Sequence, residues 1–184
     1  MNIFYLDHSP KVAAQYHVDS HVVKMILETA QLLSTAHRII DGKKNVTTIN
    51  RKKTVWTHPD PLMDATLYKA THVNHPSAVW VRESKDNYEW TYSLFCELCD
   101  EYSFRYGKVH MTDQKLRHAL KAAPSGIPNI GKTPVAQAMP DYCKDRDPIQ
   151  AYRHYYAIAK RDIHRYTKRK MPVWLTNSLL EIDN

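Results

Sequence analysis

Apolar positions fall into a helical rhythm over most of the chain. Ile3–Leu6 is a short apolar run that reads as a strand or an extended lead-in, with Asp7 and Ser9 behind it as turn or capping residues. Helical spacing begins near Pro10 or Lys11, and a stronger run covers about Asp19 to Arg38. Residues 41–58 are polar and basic with β-branched side chains among them, which predicts a loop with room for a short hairpin. A short helix fits within Pro59–Thr71. A long helical pattern runs from about Ser77 to Tyr106 and is broken by Gly107. A shorter one fits Thr112–Ala122, with Thr112 or Asp113 as cap. Pro124, Pro128, Pro134, Pro140 and Pro148 make residues 123–148 an extended loop. The last helix opens at Asp147-Pro148, aspartate as N-cap and proline at the first helical position, and runs to about Arg169. No internal repeat or low-complexity segment interrupts the series. The expected fold is mainly α: a compact, single helical domain over residues 1–184 with long loops.

Composition narrows the function classes. A chain of 184 residues is one domain's worth and can bury a core without disulfides or metal. Its 43% hydrophobic and 24% charged residues exclude a disordered chain. No apolar run approaches the ~18 residues that cross a bilayer, so no membrane partner is expected. The first ten residues lack the basic and apolar regions of a signal peptide. Cys96, Cys99 and Cys143 form an odd set without framework spacing, which fits a reducing cytoplasm, the host's if the chain is phage-encoded. Cys96-x-x-Cys99 lies inside a predicted helix with no second pair, and reads as core thiols. Only 4 glycines argue against Gly-rich phosphate loops and a turn-dense β fold. The net charge of +7, 11 histidines and 19 aromatic residues point to a nucleic-acid partner, since cations meet phosphates and flat rings stack on bases.

The segment from His17 to Arg38 carries the sharpest chemistry. At about 100° per residue, Lys24 and Glu28 fall within about 20° of His17, His21 and Gln31 within about 40°, and Thr35 close to 0°. Val22, Val23, Met25, Ile26, Leu27, Ala30, Leu32, Leu33 and Ala36 fill most of the remaining circumference, as in a central helix. The stripe is His, His, Lys, Glu, Gln, Thr, a set able to move protons. A solvated face with an ordinary i,i+4 Lys–Glu pair is the plain alternative. Two chemistries fit. His17 and His21 with Glu28 could hold a metal in a hydrolase or oxygenase, although Val18 stands where a metalloprotease needs its glutamate and Lys24 opposes a cation. Alternatively the stripe performs acid/base or amine catalysis, with Glu28 as base or as stabiliser of a cationic sugar, and Lys24 as Schiff-base nucleophile or anion anchor.

Two further groups read as nucleic-acid contacts. Asn74 or Ser77 caps a helix with Pro76 in its first turn, which sets His75 near the anion-binding N-terminus, followed by Trp80 and Arg82. The final helix interleaves Arg153, Lys160 and Arg161 with Tyr152, Tyr155 and Tyr156, a pattern suited to backbone contact. Gln137, in Gln137-Ala138-Met139-Pro140, lies on a loop placed to close over a ligand. A non-catalytic DNA- or RNA-binding module is a third reading of the same features.

The run Asp7-x-x-Pro10-x-x-Ala13-Ala14-x-x-His17-x-Asp19-x-His21-Val22-Val23-Lys24-Met25-x-x-Glu28-x-Ala30-Gln31 resembles a largely uncharacterised family of small phage and bacterial proteins. Asn74-His75-Pro76 and Gln137-Ala138-Met139-Pro140 are similar to its other signatures. The order of parts is also similar to that of pyrimidine-dimer DNA glycosylases of the phage endonuclease V type. That resemblance implies a single all-α domain acting on double-stranded DNA without cofactor or metal. It implies cleavage of the N-glycosidic bond through an imine, followed by β-elimination, with the N-terminal α-amine as nucleophile and Glu28 as the essential carboxylate. It makes His17 or His21, Asn74 and His75 DNA contacts. Met1-Asn2 is a poor substrate for methionine removal, so the amine expected is that of Met1, and Lys24, one turn before Glu28, is a second candidate amine.

Overall fold

Two 22-residue helices, α2 (Asp19–Ile40) and α5 (Lys85–Tyr106), pack on each other at the centre of a mainly α fold. The computed structural model describes residues 1–47 and 53–182. Against the central pair lie α1 (Pro10–Tyr16), which packs on α5, and α4 (Pro76–Glu83), which touches both long helices. The shorter α6 (Met111–Leu116) lies beside α2, and α3 (Pro61–Thr66) follows the hairpin. At the carboxyl end α7 (Pro148–Ala159) pairs with α8 (Val173–Ile182). The core is formed by Met25, Ile26, Leu32 and Leu33 of α2, Tyr88, Leu94, Phe95 and Leu98 of α5, Trp80, Tyr152 and Tyr156, all essentially inaccessible. Such side chains each contribute about 1.5–3 kcal/mol by leaving water. Among the described residues no helix is long and apolar enough to cross a membrane.

The elements keep one feature of the sequence pattern and depart from it at several boundaries, among them the helix expected over Thr112–Ala122, which ends at Leu116. The polar stretch 41–58 does carry a hairpin: β1 (Lys43–Thr47) and β2 (Lys53–Thr57) pair antiparallel, with Lys43 opposite Thr57. The centre of that predicted loop, residues 48–52, lies outside the described residues. The expected single helix from Ser77 to Tyr106 is two helices broken at Ser84, whose extended backbone (φ −148°, ψ 159°) lets its hydroxyl accept the Asn87 N–H at 3.2 Å. The last helix stops at Ala159 and not near Arg169. Beyond it there is little apolar surface to bury, and the chain is captured instead by the start of α2: the Arg165 carbonyl accepts the Asp19 N–H, and Thr167 donates its N–H and hydroxyl to the Asp19 carboxylate. A helix the sequence pattern leaves out, α8, then closes on α7.

Residues 2–6 are an extended lead-in, not a strand. All five are buried without a ladder: side chains accept the Asn2 and Ile3 N–H groups, and the Leu6 N–H donates to the Phe4 carbonyl at 2.9 Å. Phe4 adopts φ +52°, a strained region for a bulky residue, and its ring stacks on His21 at 4.6 Å between centroids. The Leu6 carbonyl accepts from the Arg153 guanidinium at 3.0 Å.

Candidate active site at Glu28 and the amino terminus

The lead-in delivers its first residues to the exposed edge of α2. Asn2 fixes the position. Its amide nitrogen donates to the Ala138 carbonyl at 2.8 Å, and its side-chain oxygen accepts from the Ile3 N–H at 2.8 Å and the Tyr152 hydroxyl at 3.0 Å. The backbone N–H of Asn2 then donates to Glu28 Oε2 at 3.0 Å, and the Met1 ammonium lies 3.8 Å from the same oxygen. Glu28 Oε1 faces Lys24 Nζ at 3.4 Å. The Glu28 side chain is only 13% exposed and Lys24 65%, so a half-buried carboxylate sits between a chain-terminal amine and a solvated lysine.

His75 stands across this group. Its Nδ1 accepts the Ser77 N–H at 3.2 Å and caps α4. Burial holds its pKa below the usual histidine value, and the nearby amino-terminal charge lowers it further while Glu28 opposes both. His72 and Asn74 are exposed beside it. Arg82 braces the segment by donating to the Val73 and Ala78 carbonyls, both at 2.8 Å. The result is a carboxylate that faces an ammonium, a lysine and the His75 imidazole.

The predicted stripe on α2 divides. Its exposed residues are Ser20, Val23, Lys24 and Leu27, with Glu28 and Gln31 half-buried at the edge. The solvent-facing direction is therefore displaced by about 60° from His17. His17 is wholly buried, its Nδ1 donating to the Ala13 carbonyl at 2.7 Å, and desolvation pushes its pKa down to about 4. His21 is buried against Phe4 with Nδ1 2.7 Å from the Tyr156 hydroxyl. Burial, then the charges of His17, Lys160 and Lys24, lower its pKa to about 3. Among the described residues His17, His21 and Glu28 do not converge as metal ligands; the group that does is His37, Asp41 and His58.

The other predicted contacts separate into core and surface. Trp80 is core, its Nε1 donating to the Thr133 carbonyl at 3.3 Å. Tyr156 is also core, accepting the Val18 N–H at 3.2 Å. Arg153 holds Leu6 and Asp7, and Gln137 is paired to the backbone of Asp145, so both shape loops. Lys160 lies over the Tyr155 ring at 5.1 Å on the His21 side of α2, and Arg161 is exposed.

Enclosed concavities lie elsewhere. One of about 450 Å³ between α7 and α8 is lined by Arg153, His154 and Trp174, and one of about 530 Å³ lies at Asp19, Ser20 and His164. Glu28 and Lys24 line neither. Pattern analysis missed Asn2, whose only signal is a polar residue opening a buried apolar run, and the His37–Asp41–His58 group, whose signal is histidine and aspartate at i,i+4. No family model, curated protein or solved structure matches the chain.

Proposed function

We propose that this chain is a DNA glycosylase with lyase activity that acts on a damaged or modified base in double-stranded DNA through an amine at its N-terminus. One observation carries the reading: the Met1 ammonium and the Asn2 N–H both lie against Glu28, held there by the buried Asn2 side chain. The chain-terminal amine is preferred over Lys24 as nucleophile because it is fixed beside Glu28 Oε2 by the Asn2 bonds, whereas Lys24 is 65% exposed and tethered only by its i,i+4 contact.

In this scheme the nucleotide is flipped from the duplex toward Glu28 from the side on which Lys24 is exposed. The free amine attacks C1′, the N-glycosidic bond breaks, and the base departs with a proton. The C1′–O4′ bond then opens: the nitrogen lone pair forms the C1′=N iminium as O4′ takes a proton from water, and the proton shed by the nitrogen in the first step is the one the departing base carries. Glu28 stabilises the cationic sugar and iminium, then takes a proton from C2′ as the 3′-phosphate leaves. In this scheme Lys24, Lys160, His72 and Asn74 take the phosphates.

Borohydride treatment during reaction with duplexes carrying pyrimidine dimers, modified bases or abasic sites tests the reading. A covalent adduct is expected on the N-terminal residue by peptide mass mapping, and it should persist in Lys24→Met. Glu28→Gln should remove turnover by about 100-fold or more while retaining DNA binding. Absence of any adduct across the panel, with Glu28→Gln indistinguishable from the parent, overturns it.

A further inference from the structure

Three side chains that this chemistry does not use converge where the end of α2 meets the end of β2. His37 and Asp41 stand one helical turn apart on one face. His58 directly follows β2, and one ligating atom from each of the three lies within 4.8 Å of the others. The backbone enforces the meeting. A Cβ at Gly42 would lie 2.2 Å from the Arg38 oxygen and 2.7 Å from the Thr57 oxygen, so only glycine lets the strand come this close. Arg38, itself buried, donates to the Trp56, Asp64, Leu67 and Tyr68 carbonyls and to the Asp64 carboxylate. That carboxylate in turn accepts the His58 N–H at 2.7 Å.

The hydrogen bonds also set the protonation of the cluster. The Tyr88 hydroxyl gives its single proton to the Leu120 carbonyl at 2.9 Å, so it accepts from His37 Nε2 at 2.9 Å. Nδ1 of His37 makes no hydrogen bond of good geometry in a ring only 4% exposed, and the Ala122 backbone is the polar group beside the ring. His58 Nε2 is likewise buried and unpartnered. The Asp41 carboxylate is oriented by the Ser125 N–H at 2.8 Å and by the Ser125 hydroxyl and Gly126 N–H, both at 3.0 Å. Unsatisfied buried imidazole nitrogens beside an anchored carboxylate cost stability in the empty protein. The same three groups, with their outer hydrogen bonds, are a donor set for a divalent transition metal.

We propose that His37, Asp41 and His58 bind a single zinc-type divalent first-row ion, with the remaining coordination completed by water. His37 supplies Nδ1, Asp41 an oxygen and His58 Nε2. Ligands on a tetrahedral zinc stand about 3.4 Å apart, so side-chain rotations moving the donors by about an ångström close the cluster. Coordination through Nε2 moves the His58 proton to Nδ1 and gives up the solvent-exposed bond that Nδ1 accepts from the Asp60 N–H, a small loss beside three metal bonds. The ion ties α2, β2 and the 120–126 segment together. It lies roughly 16 Å along α2 from Glu28, which makes it independent of the chemistry proposed there.

Chelator-treated full-length protein titrated with Zn²⁺ alone tests the site, with Co²⁺ as the coloured probe. One equivalent of Zn²⁺ retained after desalting, a raised melting temperature and Co²⁺ visible bands are expected. His58→Ala and Asp41→Asn, at partly exposed positions, should each weaken Zn²⁺ binding about 100-fold and remove the thermal shift. Failure of the parent protein to retain an ion overturns the proposal whatever the variants do. Retention unchanged in both variants also overturns it, because the ion would then sit on other histidines.

Discussion

Asn2 decides where the Met1 amine stands. Its amide nitrogen is held by Ala138 and its oxygen by Ile3 and Tyr152, and together these aim the next backbone bond at Glu28. Asn2→Ala leaves those buried partners unmatched, a cost of about 1–3 kcal/mol by urea unfolding. If the amine is the nucleophile, loosening it by an ångström should also cut borohydride trapping about 100-fold while duplex binding holds. An unchanged trapping yield would detach the amine from the chemistry. Glu28 and Lys24 are legible in the sequence because a polar pair stands out on an otherwise apolar helix. Asn2 is not, since its partners lie 136 and 150 residues away in the chain and no local spacing records them. His21 shows the same limit: its register on α2 is readable, but its contact with Tyr156, 135 residues on, turns it inward.

The boundaries of the elements follow capping chemistry where it is present. Asp147 caps α7 through the Ile149 N–H, and Pro148 fills the first position, both visible in the sequence. The break at Ser84 also has a local cause, a hydroxyl bonding the N–H three residues on, but continuous apolar spacing on both sides hides it. The end of α7 has no capping cause: basic residues are good helix formers, but they bring little apolar surface to bury, and distant groups such as the Asp19 carboxylate and Glu101 draw the chain away. Gly42 joins α2 to the hairpin, and its need for glycine is likewise a tertiary matter. Gly42→Ala forces the Arg38 and Thr57 carbonyls apart. It should destabilise the protein by about 1–3 kcal/mol in urea, and amide exchange should report the hairpin opening before α2 does.

Several charges of the whole molecule are arranged to resist protonation. Arg105 is fully buried between Asp19 at 2.8 Å and Glu101 at 2.7 Å, and Arg169 adds a second guanidinium to Glu101. Burial raises both carboxyl pKa values, but for Asp19 the bonds from Thr167 and Arg105, and for Glu101 those from Arg169 and Arg105, outweigh it and hold them below the ordinary range. His17 and His21 are held low by burial, at about 4 and about 3. In all four cases the folded state binds fewer protons than the unfolded chain, so stability rises with pH. The histidine contribution is complete above the unfolded value near 6.5 and is lost as pH falls toward 4 and 3; the carboxylate contribution is lost only below about pH 4. At pH 5 each histidine should therefore have cost on the order of 2 kcal/mol relative to pH 7.5, an upper figure given residual structure in the unfolded chain. Urea unfolding at the two pH values measures the sum. His37 is also held down by burial, at about 4, so His21→Phe, which retains an aromatic ring against Phe4, should reduce that difference by roughly a third or less. A full-sized pH difference in His21→Phe would show that His21 is not one of the groups resisting protonation.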